Sequence, residues 1–209
     1  MGGAKVKDKI QLIMNMLDLV DEMIIGGGMA FTFNKVLNDT KIGDSLFDSE
    51  GAEIVPDILA KAASKGVRIH LPNDFICADK FAEDAKVMTR NEEQGIDDGW
   101  MGLDVGPQTI AANAEVIARS KTVFWNGPQG VFEMQPFAKG SLSLLDNLID
   151  ATKQGATSVA GGGDTVALLK KVKGSADKLS HVSTGGGASL ELVEGHALPG
   201  VVALSDIQD

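Results

Sequence analysis

Tyrosine is absent from the 209 residues, cysteine occurs once, at Cys77, and aromatic residues make up 5%. A single thiol excludes an internal disulfide and a cysteine-rich zinc centre, and it fits a reducing, cytoplasmic setting. Proline is sparse as well, 6 against 25 glycines, so the chain turns mostly at glycine. Long apolar runs are missing: stretches such as Met23-Ile24-Ile25 fall far short of the roughly 20 residues that cross a bilayer, and no membrane partner is expected. Positive charge is in deficit, 19 Lys and Arg against 29 Asp and Glu, for a net charge of -10. Such a chain repels DNA and RNA, while a small nucleotide could still be held by local lysines and helix ends. What remains is 44% hydrophobic and 23% charged, the composition of one well-filled globular domain over residues 1–209.

Against these absences stand three triple glycines, Gly26-Gly27-Gly28, Gly161-Gly162-Gly163 and Gly185-Gly186-Gly187, each after a short apolar run. The middle one lies in Thr157-Ser158-Val159-Ala160-Gly161-Gly162-Gly163-Asp164-Thr165, which reads as a buried strand, a turn without side chains and a helix start. That is an anion site in outline, because glycines admit a phosphate to the backbone and a helix start offers unpaired N–H groups. Asp164 adds a carboxylate where a phosphate-bound cation would sit; from the residues alone it could equally be a plain N-cap.

Helical spacing of Ile10, Ile13, Met14 and Leu17 predicts a helix over 6–20, with Lys5 and Lys9 on one face of it if it starts by Lys5. Further helices are expected at 29–37, 52–65, 109–118, 136–152, 165–172 and 189–194, with Pro56 in the first turn of its helix and Gly66 closing it. Strands are expected at 22–25, 67–71, 121–125, 157–160 and 179–182, with 75–78 and 85–88 as an antiparallel excursion and 99–107 as a glycine-punctuated bend. Strands alternating with helices imply an α/β fold, a three-layer sandwich whose mainly parallel sheet carries helices on both faces. Every glycine triplet would then open on the same edge, the C-terminal ends of the strands.

The usual phosphate fingerprints do not apply. A dinucleotide turn needs a sixth-position glycine, and the three triplets place Phe31, Val166 and Leu190 there, which weighs against a nicotinamide-dependent dehydrogenase. No Gly-Lys-Ser or Gly-Lys-Thr ends a glycine-rich loop, and His-Glu-x-x-His is absent.

The ordered set Gly2-Gly3-Ala4-Lys5-Val6, Gly26-Gly27-Gly28-Met29-Ala30-Phe31, Met101-Gly102-Leu103-Asp104, Trp125-Asn126-Gly127-Pro128, Gly130-Val131-Phe132-Glu133, Gly161-Gly162-Gly163-Asp164-Thr165 and Ser183-Thr184-Gly185-Gly186-Gly187 closely resembles the C-terminal, nucleotide-binding half of phosphoglycerate kinase. The resemblance implies a Rossmann-like domain that binds ADP or ATP with magnesium, in monomeric enzymes that move a phosphoryl group between 1,3-bisphosphoglycerate and ADP. It implies that Lys5 stabilises the transferring phosphoryl group, with Gly162, Gly185 and Gly186 beside it, and that Lys9 and Asn126 contact nucleotide phosphates. Gly161, Gly162, Gly163, Asp164 and Thr165 would form the phosphate-binding helix start, with magnesium at Asp164. Gly27, Gly28, Leu46, Gly102, Leu103, Pro128 and Val131 would line the adenine slot, and Glu133 would accept the ribose hydroxyls. From the residues alone, Lys5 and Lys9 also read as surface lysines, Leu46, Leu103 and Val131 as core packing, and Gly185-Gly186 as a tight turn.

Two substitutions depart from the family pattern, Lys7 for a small residue and Ser141 for a threonine. Met1 runs straight into Gly2-Gly3, where the family has a hydrophobic strand preceded by a whole substrate-binding domain. The expectation is a fragment that binds nucleotide without turning over, whose residues 198–209 resemble a tail returning to that N-terminal domain. A non-catalytic magnesium-nucleotide module is the alternative.

Overall fold

The computed structural model describes residues 1–183 and 187–204. Along β6 (Thr122–Asn126) the side chains divide between two cores: Phe124 packs against one, Val123 and Trp125 against the other. The same division runs along β1 (Glu22–Ile24), where Met23 enters the first core and Ile24 the second. A period of two that feeds apolar groups to both sides is the signature of a sheet buried on both faces.

Helices close each face. The first core takes Leu12 and Ile13 from α1 (Ile10–Met16), Phe33 from α2 (Met29–Asn38), and Val55 and Ile58 from α3 (Ser49–Lys65). The second takes Ile117 from α4 (Pro107–Arg119), Leu145 and Leu148 from α5 (Lys139–Lys153), and Leu168 from α6 (Gly163–Lys171). This is the α/β three-layer sandwich expected from the alternation.

Strand β1 runs parallel to β2 (Arg68–His70), and β6 runs parallel to β7 (Thr157–Gly161), itself parallel to β8 (His181–Val182). The antiparallel excursion is also present: β3 (Asp74–Ala78) pairs antiparallel with β4 (Val87–Asn91) and with β5 (Met101–Val105). Strand β5 occupies what reads in sequence as a bend. Gly102 sits in it because a Cβ there would lie 2.2 Å from the ring of Phe31, so the glycine makes room for a neighbour rather than a turn.

Three helix boundaries differ for local reasons. Residues 6–20 are not one helix: a 3-10 turn, Lys7–Lys9, precedes α1, and Lys9 leaves helical geometry at φ -127°, ψ 8°. Lys5 therefore lies outside any helix, and Lys5 and Lys9 do not share a helical face. Helix α3 begins at Ser49, which puts Pro56 inside it rather than in its first turn, while Gly66 caps it at φ 70° as expected. Residues 135–137 form a separate 3-10 turn ahead of α5. Beyond β8 lie α7 (Gly187–Val193) and α8 (Pro199–Val202).

The first residues tie the sheet together. Met1 N donates to Ile24 O at 2.7 Å, Gly26 N to Met1 O at 2.8 Å, and Gly2 N to Asn126 O at 2.7 Å, so Met1 and Gly2 bridge the ends of β1 and β6.

Candidate functional site

The C-terminal ends of β1, β6 and β7 converge on glycine-rich turns whose backbones touch. Gly27 adopts φ +70°, and a Cβ on it would stand 2.7 Å from Gly3 N and O. Gly162 adopts φ +96°, and a Cβ there would stand 2.5 Å from Asn126 Nδ2. Both positions combine a left-handed backbone with a close approach, so only glycine fits. The result is a rim of glycine backbone, approached by the side chains of Lys9 at Gly3 and Leu46 at Gly28.

One side of this rim is polar. Asn126 is buried at the end of β6; its Nδ2 donates to Gly161 O at 2.9 Å and its Oδ1 accepts from Lys9 Nζ. Burial pushes the Lys9 ammonium below its ordinary pKa, opposed by the carboxylates of Asp164, Asp8 and Glu194. Helix α6 starts here with Gly162 as N-cap and no side-chain cap, so its first N–H groups lack intrahelical acceptors. Asp164 is the second residue of that helix, which removes its reading as the N-cap. It is exposed and, among the described residues, makes no hydrogen bond or salt bridge. Thr165 is fully buried, and its hydroxyl accepts from Gly127 N–H at 2.8 Å, bracing the β6 turn against α6.

The other side is apolar. A cavity of about 730 Å³ is lined by Gly27, Gly28, Leu46, Gly102, Leu103, Pro128, Val131 and Glu133, and Asp164 stands at its polar end. Leu46 is 53% exposed, so core packing does not account for it. Leu103 and Val131 do both jobs, lining the cavity and packing with Ala78 and Phe137 in a small core. Glu133 is exposed at the mouth. Lys5 is exposed in the loop after Gly3. Gly185 and Gly186 lie outside the described residues.

Sequence reasoning missed several lining groups: Gly3, Ala4, Phe81, Met101, Met134 and Asp104. Phe81 is 60% exposed between β3 and β4; a large aromatic in an otherwise polar hairpin was the available signal. Asp104 has no such signal. Its carboxyl is 3% exposed on β5, Oδ2 accepts from Gly140 N–H at 2.7 Å, and Oδ1 has no partner. Burial pushes it up to about 7, against the stabilising N–H groups of Gly140 and Val105. The expectation of an inert Cys77 agrees with its burial, which pushes the thiol up to about 12.

A glycine rim, polar on one side and apolar on the other, stands at the strand ends of this α/β domain, where folds of this class carry their ligand sites. Comparison with known proteins gives the family. The family model "Phosphoglycerate kinase" matches residues 1–196. The phosphoglycerate kinase of Sterkiella nova is 70% identical over 209 residues, all of this chain and 50% of the relative, and that of Schistosoma mansoni is 60% identical over 99% of this chain and 49% of the relative. Among solved structures, the phosphoglycerate kinase from Coxiella burnetii superposes with a TM-score of 0.90 at 43% identity, over 96% of this chain and 50% of that one. The phosphoglycerate kinase from Pyrococcus horikoshii OT3 gives 0.76 at 26% identity, over 97% and 50%. The chain belongs to the phosphoglycerate kinase family, and it spans about half the length of the curated relatives it matches.

Proposed function

We propose that this chain is the magnesium-nucleotide half of a phosphoglycerate kinase, taking ADP or ATP across the rim with the base in the apolar cavity and the phosphates at α6. The observation that carries the reading is the junction of the two environments. A slot walled by glycines, Leu46, Leu103 and Val131 runs directly to an uncapped helix N-terminus bearing Asp164. A nucleotide has the same division, a flat apolar base at one end and anionic oxygens at the other.

Each group then has a task set by its chemistry. The α6 N–H groups and the positive end of its dipole hold phosphate oxygens. Lys9, anchored through Asn126, brings a positive charge to the same oxygens. Lys5 is free to reach a phosphoryl group in transfer, where charge neutralisation and positioning supply most of the rate. Glu133 at the mouth accepts ribose hydroxyls. The donor set around Asp164 fits magnesium rather than a metal that needs an all-protein cage: one hard carboxylate is present, and no cluster of three or more His, Cys, Asp or Glu stands among the described residues. Bound there, the cation would neutralise phosphate charge.

The complete reaction moves a phosphoryl group between 1,3-bisphosphoglycerate and ADP, giving 3-phosphoglycerate and ATP in glycolysis. It requires an acid-binding domain that closes over this rim and excludes water. The partner is therefore the N-terminal phosphoglycerate-binding domain, towards which residues 198–209 would return, and the whole enzyme would be a cytoplasmic monomer. Residues 205–209 lie outside the described residues; among those described, no helix is long and apolar enough to cross a membrane.

Calorimetric titration with ADP and magnesium, followed by turnover assays with and without an added N-terminal domain, tests this. The expected result is one nucleotide per chain, no turnover alone, and turnover on addition. Absence of nucleotide binding would overturn the reading. Binding without turnover in the reconstituted pair would favour the non-catalytic module.

A further inference from the structure

Asn126-Gly127 is the one Asn-Gly pair in the chain, and it stands on the rim at the end of β6. Asparagine before glycine readily loses its side-chain amide, because no Cβ shields the glycine nitrogen from the asparagine Cγ. Here the groups that this reaction would move are held. The Gly127 N–H donates to Thr165 Oγ1 at 2.8 Å, and the Gly127 carbonyl accepts from Trp125 Nε1 at 2.9 Å. The Asn126 amide nitrogen, which would be the leaving group, donates to Gly161 O at 2.9 Å. Asn126 is 1% exposed and Thr165 is fully buried, so water is kept from both. One neighbour acts in the other direction: Lys9 Nζ donates to Asn126 Oδ1 and draws electrons away from the Cγ that would be attacked.

We propose that Asn126-Gly127 is a latent deamidation site, activated by Lys9 and restrained by the hydrogen bond from the Gly127 N–H to the Thr165 hydroxyl. In the reaction the Gly127 nitrogen attacks Asn126 Cγ. The new N–Cγ bond closes a five-membered succinimide, the Cγ–Nδ2 bond breaks, and Nδ2 leaves as ammonia with the proton that Gly127 gives up. Solvent water then opens the ring at either carbonyl to leave aspartate or isoaspartate, and nothing is oxidised or reduced. The first step needs a free Gly127 N–H, and Thr165 occupies it. The product does not suit its place. A carboxylate has no donor for Gly161 O and would face that carbonyl with negative charge. Isoaspartate would also lengthen the backbone by one carbon beside Gly127, where even a Cβ would stand 2.1 Å from Gly2 O. Besides bracing the turn, Thr165 keeps Asn126 an amide, the neutral anchor on which Lys9 rests.

The site is independent of the nucleotide reading and is tested without nucleotide. Folded chains are incubated at mildly alkaline pH beside the parent unfolded in urea, and the amide-to-acid mass change in the peptide that holds Asn126 is followed with time. The variants are Thr165→Val, which keeps the shape and removes the acceptor, Thr165→Ala as a second chain without the hydroxyl, and Thr165→Ser, which retains it. Ile58→Val is the control, because Ile58 is fully buried in the first core on α3 and its truncation loosens the fold without touching the Thr165 bond. The expected result is fast conversion of the unfolded parent and protection of the folded parent, Thr165→Ser and Ile58→Val. Folded Thr165→Val and Thr165→Ala should convert about tenfold faster than the folded parent, the weight of one hydrogen bond on local opening. Conversion of both at the parent's rate, or of Thr165→Ser at theirs, would overturn the proposal. So would Ile58→Val converting as fast as Thr165→Val, since general loosening would then account for the loss, and so would a folded parent that converts as fast as the unfolded chain.

Discussion

The start of β1 and the turn after it treat charge in opposite ways. At the start, Glu22 is satisfied several times over: Arg119 donates to both its oxygens at 2.8 and 2.6 Å, and His70 lies at 2.6 Å. The Arg119 guanidinium, helped by His70 and opposed by partial burial, holds its carboxyl down at about 2. At the glycine rim, Lys9 is half-buried against a neutral amide, Asp164 has no bonded partner among the described residues, and α6 starts uncapped. Completed charges fasten a structure; the incomplete ones, on the function proposed above, would be completed by a nucleotide. Sequence position hides this contrast, because glutamate, lysine and aspartate look alike until their partners are known.

Substitutions at the rim should therefore cost binding or break the fold, and those at the Glu22 cluster should lower stability near neutral pH, lose that effect in acid, and leave binding unchanged. The largest effect is expected from Gly127→Val. Gly127 has φ +90°, and a Cβ there would stand 2.1 Å from Gly2 O, so strain and overlap together should cost about 3–5 kcal/mol in urea unfolding.

Next comes Asp104. Its folded pKa, about 7, is raised above the ordinary carboxylate value, so the folded protein holds a proton that the unfolded chain releases. Stability then falls as pH rises through that interval. The loss between pH 5 and pH 7 is about 2 kcal/mol from this group, and Asp104→Asn should flatten the slope in urea titrations at those pH values.

Lys9→Met should weaken nucleotide binding about tenfold, near 1.4 kcal/mol, with little change in Tm, measured by calorimetry. The smallest effect belongs to Glu22→Gln. Its folded pKa is depressed, so the cluster stabilises above the unfolded carboxylate pKa and loses that contribution as pH falls towards about 2. Below that value the variant and the parent should have equal Tm, and near neutral pH the variant should be lower by a few degrees and bind nucleotide unchanged.

Much of this arrangement was legible in the sequence. Glycine triplets after short apolar runs located the rim, because a tight strand-to-helix turn next to a close backbone approach leaves few other residues usable. Leu46, Leu103, Val131 and Glu133 were found by resemblance, and the structure brings them to one cavity with Gly27, Gly28 and Pro128. Strand β5 was missed because Gly102 and Gly106 imitate a bend. Their Cβ positions are in fact occupied, by the Phe31 ring in one case and by the Asp74 carboxylate in the other. Asp104 and Phe81 were missed because each owes its place to a long-range pairing within the antiparallel sheet or its hairpin, which no local period reports. A shared helical face for Lys5 and Lys9 requires a helix that starts by Lys5, and the structure does not supply it, because the backbone at Lys9 departs from helical geometry.

The most direct test of the incomplete rim is calorimetric titration of the parent chain and Asp164→Ala with ADP, each with and without magnesium. The account predicts that magnesium tightens ADP binding to the parent and that Asp164→Ala removes most of that gain while leaving metal-free binding within about twofold. Equal magnesium-ADP affinity in the two chains, or no nucleotide binding by the parent, would contradict it.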